Sequence, residues 1–126
     1  MDMTNKRLLV IEDEAAIQLT LRTRLESVGF TVLGARNGDD GLSLAREEKP
    51  DLIILDLGLP GRDGYSVCRL LKADPRHKAI PILMLTGRSK EADRARGLDC
   101  GADAYLTKPF DSADLVETVR RLLQED

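Results

Sequence analysis

Five short apolar runs punctuate the chain, separated by longer stretches in which apolar residues recur every three or four positions. The runs are Leu8-Leu9-Val10-Ile11, Thr31-Val32-Leu33, Leu52-Ile53-Ile54-Leu55, Ile80-Pro81-Ile82-Leu83-Met84-Leu85 and Ala104-Tyr105-Leu106. Their length and their β-branched content read as strands. The first, third and fourth are almost free of polar residues, as strands covered on both faces must be, and this predicts a parallel sheet between two helical layers. Between the strands, Ile17, Leu21, Leu25 and Val28 form one helical stripe that Gly29 ends. Leu42 with Ala45 marks a second helix closing before Lys49-Pro50, and Val67, Leu70 and Leu71 mark a third. Leu115, Val119, Leu122 and Leu123 mark the last, with Asp111 or Ser112 placed to cap its start. Residues 88–99 differ: seven of the twelve are charged and Leu98 is the only large apolar one, which predicts a weakly anchored fourth helix. No repeat, low-complexity tract or linker breaks the order. The reading is α/β: five βα units in a doubly wound sheet, one domain over residues 1–126 with its core over about 7–124.

Composition narrows the function. With 126 residues, 42% of them apolar, the chain has enough material for one buried core. Lys+Arg 19 against Asp+Glu 22 leaves a net charge of -3, without the basic stripe that a nucleic-acid surface needs. No apolar run approaches the roughly 20 residues of a membrane span, and no signal-peptide core follows Met1, so a cytoplasmic protein is expected. Cys68 and Cys100 form no CxxC pair and read as small core residues in a reducing compartment. His77 is the only histidine, which leaves almost no room for a histidine-based metal site or triad.

In open α/β sheets, ligands bind at the carboxyl ends of the strands. The first run ends in Glu12-Asp13, the third in Asp56, the fourth in Thr86 and the fifth in Thr107-Lys108-Pro109. Each residue alone has an ordinary explanation: Asp13 or Glu14 as a helix cap or solvated charge, Asp56 as a turn former before Leu57-Gly58-Leu59-Pro60-Gly61, Thr86 before Gly87 as a strand end, Lys108 as a surface charge. Their recurrence at four strand ends has none. Adjacent strands lie about 4.8 Å apart, so the ends converge on one pocket. Clustered carboxylates repel one another, and a hard divalent cation resolves the repulsion. Magnesium, which takes oxygen ligands and keeps several waters, suits Asp13, Asp56 and a water-mediated Glu12; no EF-hand loop is present to favour calcium. An aspartate carboxylate is a nucleophile that forms acyl phosphates, and phosphoryl transfer depends on positioning and on neutralising oxygens. Asp56 is therefore the candidate nucleophile, with the Lys108 ammonium and the Thr86 hydroxyl placed to hold phosphoryl oxygens and Gly87 leaving room for the group. Lys108-Pro109 is expected as a cis peptide bond, because the chain must turn sharply while aiming the lysine inward.

From Leu8-Leu9-Val10-Ile11-Glu12-Asp13-Glu14 through Leu55-Asp56-Leu57-Gly58-Leu59-Pro60-Gly61-Arg62-Asp63-Gly64 and Leu85-Thr86-Gly87 to Gly101-Ala102-Asp103-Ala104-Tyr105-Leu106-Thr107-Lys108-Pro109-Phe110, the chain resembles the receiver domains of two-component response regulators. The resemblance implies a flavodoxin-like (βα)5 fold with strand order 2-1-3-4-5. It implies that Asp56 is the phosphoacceptor, that Glu12, Asp13, Asp56 and the Gly58 carbonyl arrange Mg²⁺, and that Thr86 and Lys108 hold the phosphoryl group. It further implies a histidine-kinase or phosphotransfer-protein phosphohistidine as donor, and Tyr105 as an aromatic switch turning inward when Thr86 moves. The output would be a downstream effector on the face made by residues 88–99, the fifth strand and the last helix. Such a protein catalyses only its own phosphorylation and dephosphorylation. Gly58 and Arg88 depart from the frequent pattern at two positions that in the family tune phosphoryl lifetime. Arg94 with Asp114 and Asp99 with Arg120 supply two cross-face ion pairs of dimerising receivers, but Ala104 and Thr118 lack the charges for another, so a monomer or a weak phosphorylation-dependent dimer is expected. Haloacid-dehalogenase-like phosphohydrolases also use an aspartyl phosphate, but they place a second acid two residues after the nucleophile, where this chain has Gly58. A binding module without phosphorylation would not need Asp13, Asp56, Thr86 and Lys108 together, and no GxxxxGK[ST] loop occurs.

Overall fold

A computed structural model describes residues 5–86 and 100–124. Strands β1 (Arg7–Ile11), β2 (Thr31–Ala35), β3 (Leu52–Asp56), β4 (Ile82–Thr86) and β5 (Ala104–Thr107) form one parallel sheet in the order β2-β1-β3-β4-β5. Among the described residues, helices α1 (Ala15–Ser27), α2 (Gly38–Glu48), α3 (Gly64–Ala73) and α4 (Ser112–Gln124) cover it. The expected helix over residues 88–99 lies outside the described residues.

Side chains alternate across a strand, and the two cores follow that alternation. Leu9, Ile11, Ile53, Leu55, Ile82 and Met84 pack with Leu42, Ala45, Val67, Cys68 and Leu71 of α2 and α3. Leu8, Val10, Leu52, Ile54, Leu83 and Leu85 pack with Leu21 and Leu25 of α1 and Leu115, Val119 and Leu122 of α4. Every residue of β3 and β4 is buried, which is why these runs contain no alternation of polar and apolar residues. Two details differ from the sequence pattern. Ile80 and Pro81 precede β4 rather than joining it, and Leu70 is 37% exposed while Cys68 takes its place inward, since Gly64, Val67, Cys68 and Leu71 form the stripe at spacings of three, one and three. Both cysteines are buried and in no disulfide, and Cys68 Sγ donates to the Cys100 carbonyl at 3.4 Å.

The helix starts are set by local chemistry. Asn37 accepts from the Asp40 amide and Asp63 from the Ser66 amide, capping α2 and α3, while Asp111 accepts from the Ala113 amide at the start of α4. Helix α3 begins against the end of β3: a Cβ on Gly64 would lie 2.4 Å from the Asp56 carbonyl oxygen, so only glycine allows that approach. No helix among the described residues is long and apolar enough to cross a membrane.

Candidate functional site

The register of the sheet determines which residues meet at its carboxyl edge. Ile11 pairs with Leu55, so the next residues, Glu12 and Asp56, lie level on neighbouring strands. Thr86 pairs with Thr107, and Lys108 follows. Glu12, Asp56 and Lys108 also continue the alternation of Val10, Ile54 and Leu106 towards the α1 and α4 side of the sheet. The Lys108 ammonium accordingly donates to Asp56 Oδ1 at 3.0 Å and to Glu12 Oε1 at 3.1 Å. The Lys108-Pro109 peptide bond is cis.

Glu12 is fully buried and Asp56 is 6% exposed. Burial pushes the Glu12 carboxyl above the usual carboxylate range, and the nearby Asp56 charge adds to this; the Glu14 amide, which donates to Glu12 Oε2 at 3.1 Å, and Lys108 oppose it. Burial acts to lower the Lys108 pKa, but its bonds to Asp56 and Glu12 outweigh that and hold the ammonium above the ordinary lysine value. Lys108 is thus a firmly charged counterion to two acids.

Asp13, half-buried in the turn after β1, completes the acidic group: one oxygen each from Glu12, Asp13 and Asp56 lie within 4.8 Å of one another. An all-oxygen set of three carboxylates, two of them already balanced by an ammonium, fits a hard cation such as Mg²⁺. Asp13 does not cap α1; Glu14 stands at the N-cap and makes no side-chain cap bond. Gly58 is exposed beside the acids, and a Cβ there would lie 3.7 Å from Asp56 Oδ2.

Thr86 is buried, with its hydroxyl 3.5 Å from both the Leu106 carbonyl and Thr107 Oγ1, at the outer limit of hydrogen bonding. Tyr105 is half-buried, pairs in register with Met84 and packs on the α2 and α3 side, the side towards which Thr86 also points by alternation. Arg88 and Gly87, and the pairs proposed for Arg94 and Asp99, lie outside the described residues.

Two residues that bear on the site are not among the strand-end residues singled out from the sequence. Gln18 Nε2 donates to the Glu12 carbonyl at 3.2 Å and the Ala35 carbonyl at 2.8 Å, and Arg36 donates through Nε and Nη2 to the Asp13 carbonyl at 3.0 and 2.8 Å. The carboxyl end of the second strand, where Arg36 follows Ala35, is the signal that points to the arginine.

Residues 8–120 match the response regulator receiver domain family. The chain belongs to that family. It is 46% identical over 118 residues to the DNA-binding dual master transcriptional regulator RpaA of Synechocystis, covering 94% of this receiver and 49% of the regulator. This receiver thus spans about half the length of the curated relatives it matches. Among solved structures, the signal receiver domain of a signal transduction histidine kinase from Syntrophus aciditrophicus superposes with a TM-score of 0.88 at 38% identity, over 94% of this chain and 89% of that one. The receiver domain of sensor histidine kinase PA1611 from Pseudomonas aeruginosa, with a magnesium ion coordinated in its active-site cleft, gives 0.90 at 30% identity, over 97% and 100%. The receiver fold in the order 2-1-3-4-5 is shared with these neighbours.

Proposed function

We propose that this receiver is a cytoplasmic phosphorylation switch in which Asp56 is the phosphoacceptor. The observation that supports it most is the convergence of Glu12, Asp13 and Asp56 around an ammonium that bonds Asp56 directly. An Asp56 carboxylate oxygen attacks the phosphorus of a phosphohistidine on a sensor kinase or phosphotransfer protein. The P–N bond breaks, its electron pair returns to the imidazole, and an acyl phosphate forms on Asp56. The carboxylates of Glu12, Asp13 and Asp56, with the Gly58 carbonyl, would hold Mg²⁺. When bound, the ion neutralises phosphoryl oxygens as charge shifts in the transition state. Lys108, already charged and aimed at Asp56, exchanges part of its carboxylate pairing for a phosphoryl oxygen. The Thr86 hydroxyl, held only at 3.5 Å, is free to move to another oxygen. Its departure leaves space on the side of the sheet that Tyr105 shares, and an inward Tyr105 would alter the face formed by residues 88–99, β5 and α4. An effector reads that face, and the domain turns over nothing but its own phosphoryl group.

The test is the intact mass after incubation with acetyl phosphate. One phosphoryl mass should be gained with Mg²⁺ and none with a chelator. Uptake equal in both, or uptake undiminished in Asp56→Asn, would overturn the proposal.

A further inference from the structure

Asp13 stands in a stretch that neither the sheet nor a helix fixes. β1 ends at Ile11, α1 begins at Ala15, and the Glu14 N-cap makes no side-chain bond. A carboxylate meant to hold a cation must nevertheless be kept within a fraction of an ångström of its working position. Besides the Glu14 amide and the Lys108 ammonium on the Glu12 carboxylate and the first helical bond from the Gln18 amide to the Glu14 carbonyl, three ties join this turn to the end of β2. The Glu12 amide donates to the Ala35 carbonyl at 3.0 Å, Gln18 bridges the Glu12 and Ala35 carbonyls, and the Arg36 guanidinium grips the Asp13 carbonyl with two N–H groups. Only the last of these touches Asp13.

We propose that Arg36 is a positioning residue for the Mg²⁺ site, holding the Asp13 peptide plane, and with it the direction of the Asp13 side chain, through its two-pronged bond to the carbonyl. The proposal rests on the reading of Glu12, Asp13 and Asp56 as the metal-holding acids. A planar fork constrains the orientation of its acceptor where a single point donor would not. Groups that orient metal ligands from behind typically contribute about 10–100-fold to metal affinity. Arg36 is exposed and its bonds compete with water, which puts the expectation near the low end.

The sign of the effect separates positioning from charge. A guanidinium near a cation site repels the cation, so an Arg36 acting only through its field would weaken Mg²⁺ binding, and its removal would strengthen it. Positioning predicts the reverse. Arg36→Lys keeps the charge and loses the fork, so it should also bind less tightly than wild type, whereas a pure field effect leaves it unchanged.

The experiment is calorimetric titration of the receiver with Mg²⁺ alone, for wild type, Arg36→Ala and Arg36→Lys, with thermal melts of each without metal. The expected result is a roughly tenfold rise in Kd for Arg36→Ala, a smaller rise for Arg36→Lys and little change in melting. With acetyl phosphate, the half-saturating Mg²⁺ concentration should rise in step while the rate at saturating Mg²⁺ is kept. Saturable wild-type binding with equal or tighter binding by Arg36→Ala would overturn the positioning role and leave the metal-site reading standing. If Arg36→Ala fails to fold, an unchanged Kd for Arg36→Lys overturns the positioning role in the same way. Absence of saturable wild-type binding at millimolar Mg²⁺ would overturn both.

Discussion

Lys108 joins two acids through one ammonium, and that pairing is exposed to test before any phosphoryl group arrives. A buried carboxylate that loses its partner costs several kcal/mol, less where solvent can enter in the partner's place, as it can beside the partly exposed Lys108. In metal-free protein at neutral pH, Lys108→Met should therefore lower stability by about 2 kcal/mol. The deficit should shrink on acidification. Glu12 has a folded pKa raised by burial, so its proton favours the folded state; the stability is present below the unfolded pKa and lost as pH rises through the folded one. Removing Lys108 takes away one of the groups that hold the value down, so the variant gains relative stability on acidification, as Glu12 takes up its proton. Denaturant melts at neutral and at mildly acidic pH are the check, and a gap that widened on acidification would contradict the pairing. Glu12, Asp56, Thr86 and Lys108 were legible as strand-end residues because alternation and strand register depend on the apolar runs alone. Gln18 was not, because its targets are backbone carbonyls that every residue carries; Arg36 follows the end of β2, a position the strand-end rule covers, but its target, the Asp13 carbonyl, is likewise a group no residue pattern encodes.

Among the elements, the connection from β3 to α3 carries the open side of the site. Its far end is tied by the Arg62 guanidinium to Asp39 of α2 at 2.7 Å and by the close approach of Gly64 to the Asp56 carbonyl, while Gly58 stands exposed near Asp56. A side chain at position 58 would begin in ordinary contact distance of Asp56 Oδ2, without strain. Gly58→Met should then cover the approach of water and slow loss of the phosphoryl group by more than about twofold, a small change on the transition-state scale. The fold should be unaffected. Decay of the labelled protein, followed by intact mass, measures it, and a rate within twofold of wild type would exclude a role for Gly58 in phosphoryl lifetime. The strands were legible to within two residues at either end, most directly β1, β3 and β4, since fully buried parallel strands leave uninterrupted apolar runs; β2 runs on to Ala35 and β4 begins only at Ile82. Helix α3 was harder: Leu70 reads as core by hydropathy, yet the stripe that starts from the close-packed Gly64 selects Cys68 instead. The charged segment 88–99, expected as a weakly anchored helix, lies outside the described residues.

For the whole molecule, the proposed switch couples the acidic pocket to the face of residues 88–99, β5 and α4. A bound group shifts such an equilibrium only by its differential affinity for the two arrangements. Thr86 is the proposed link, being buried at the end of β4 and loosely bonded to the β5 end. Thr86→Ala should still accept a phosphoryl group but fail to pass the change on. With beryllofluoride and Mg²⁺ as the phosphoryl mimic, amide shifts in wild type should reach Tyr105 and residues 88–99, and in Thr86→Ala should stay at the pocket; shifts confined to α1 and α2 in wild type would mean another output face. All of this depends on where the phosphoryl group sits. Borohydride reduction of the phosphorylated receiver, followed by peptide sequencing by mass spectrometry, reads that position directly, since an aspartyl phosphate is converted to homoserine. Homoserine is expected at residue 56 alone; a single modified residue at 12, 13 or elsewhere, with Asp56 intact, would contradict the assignment of Asp56 as phosphoacceptor.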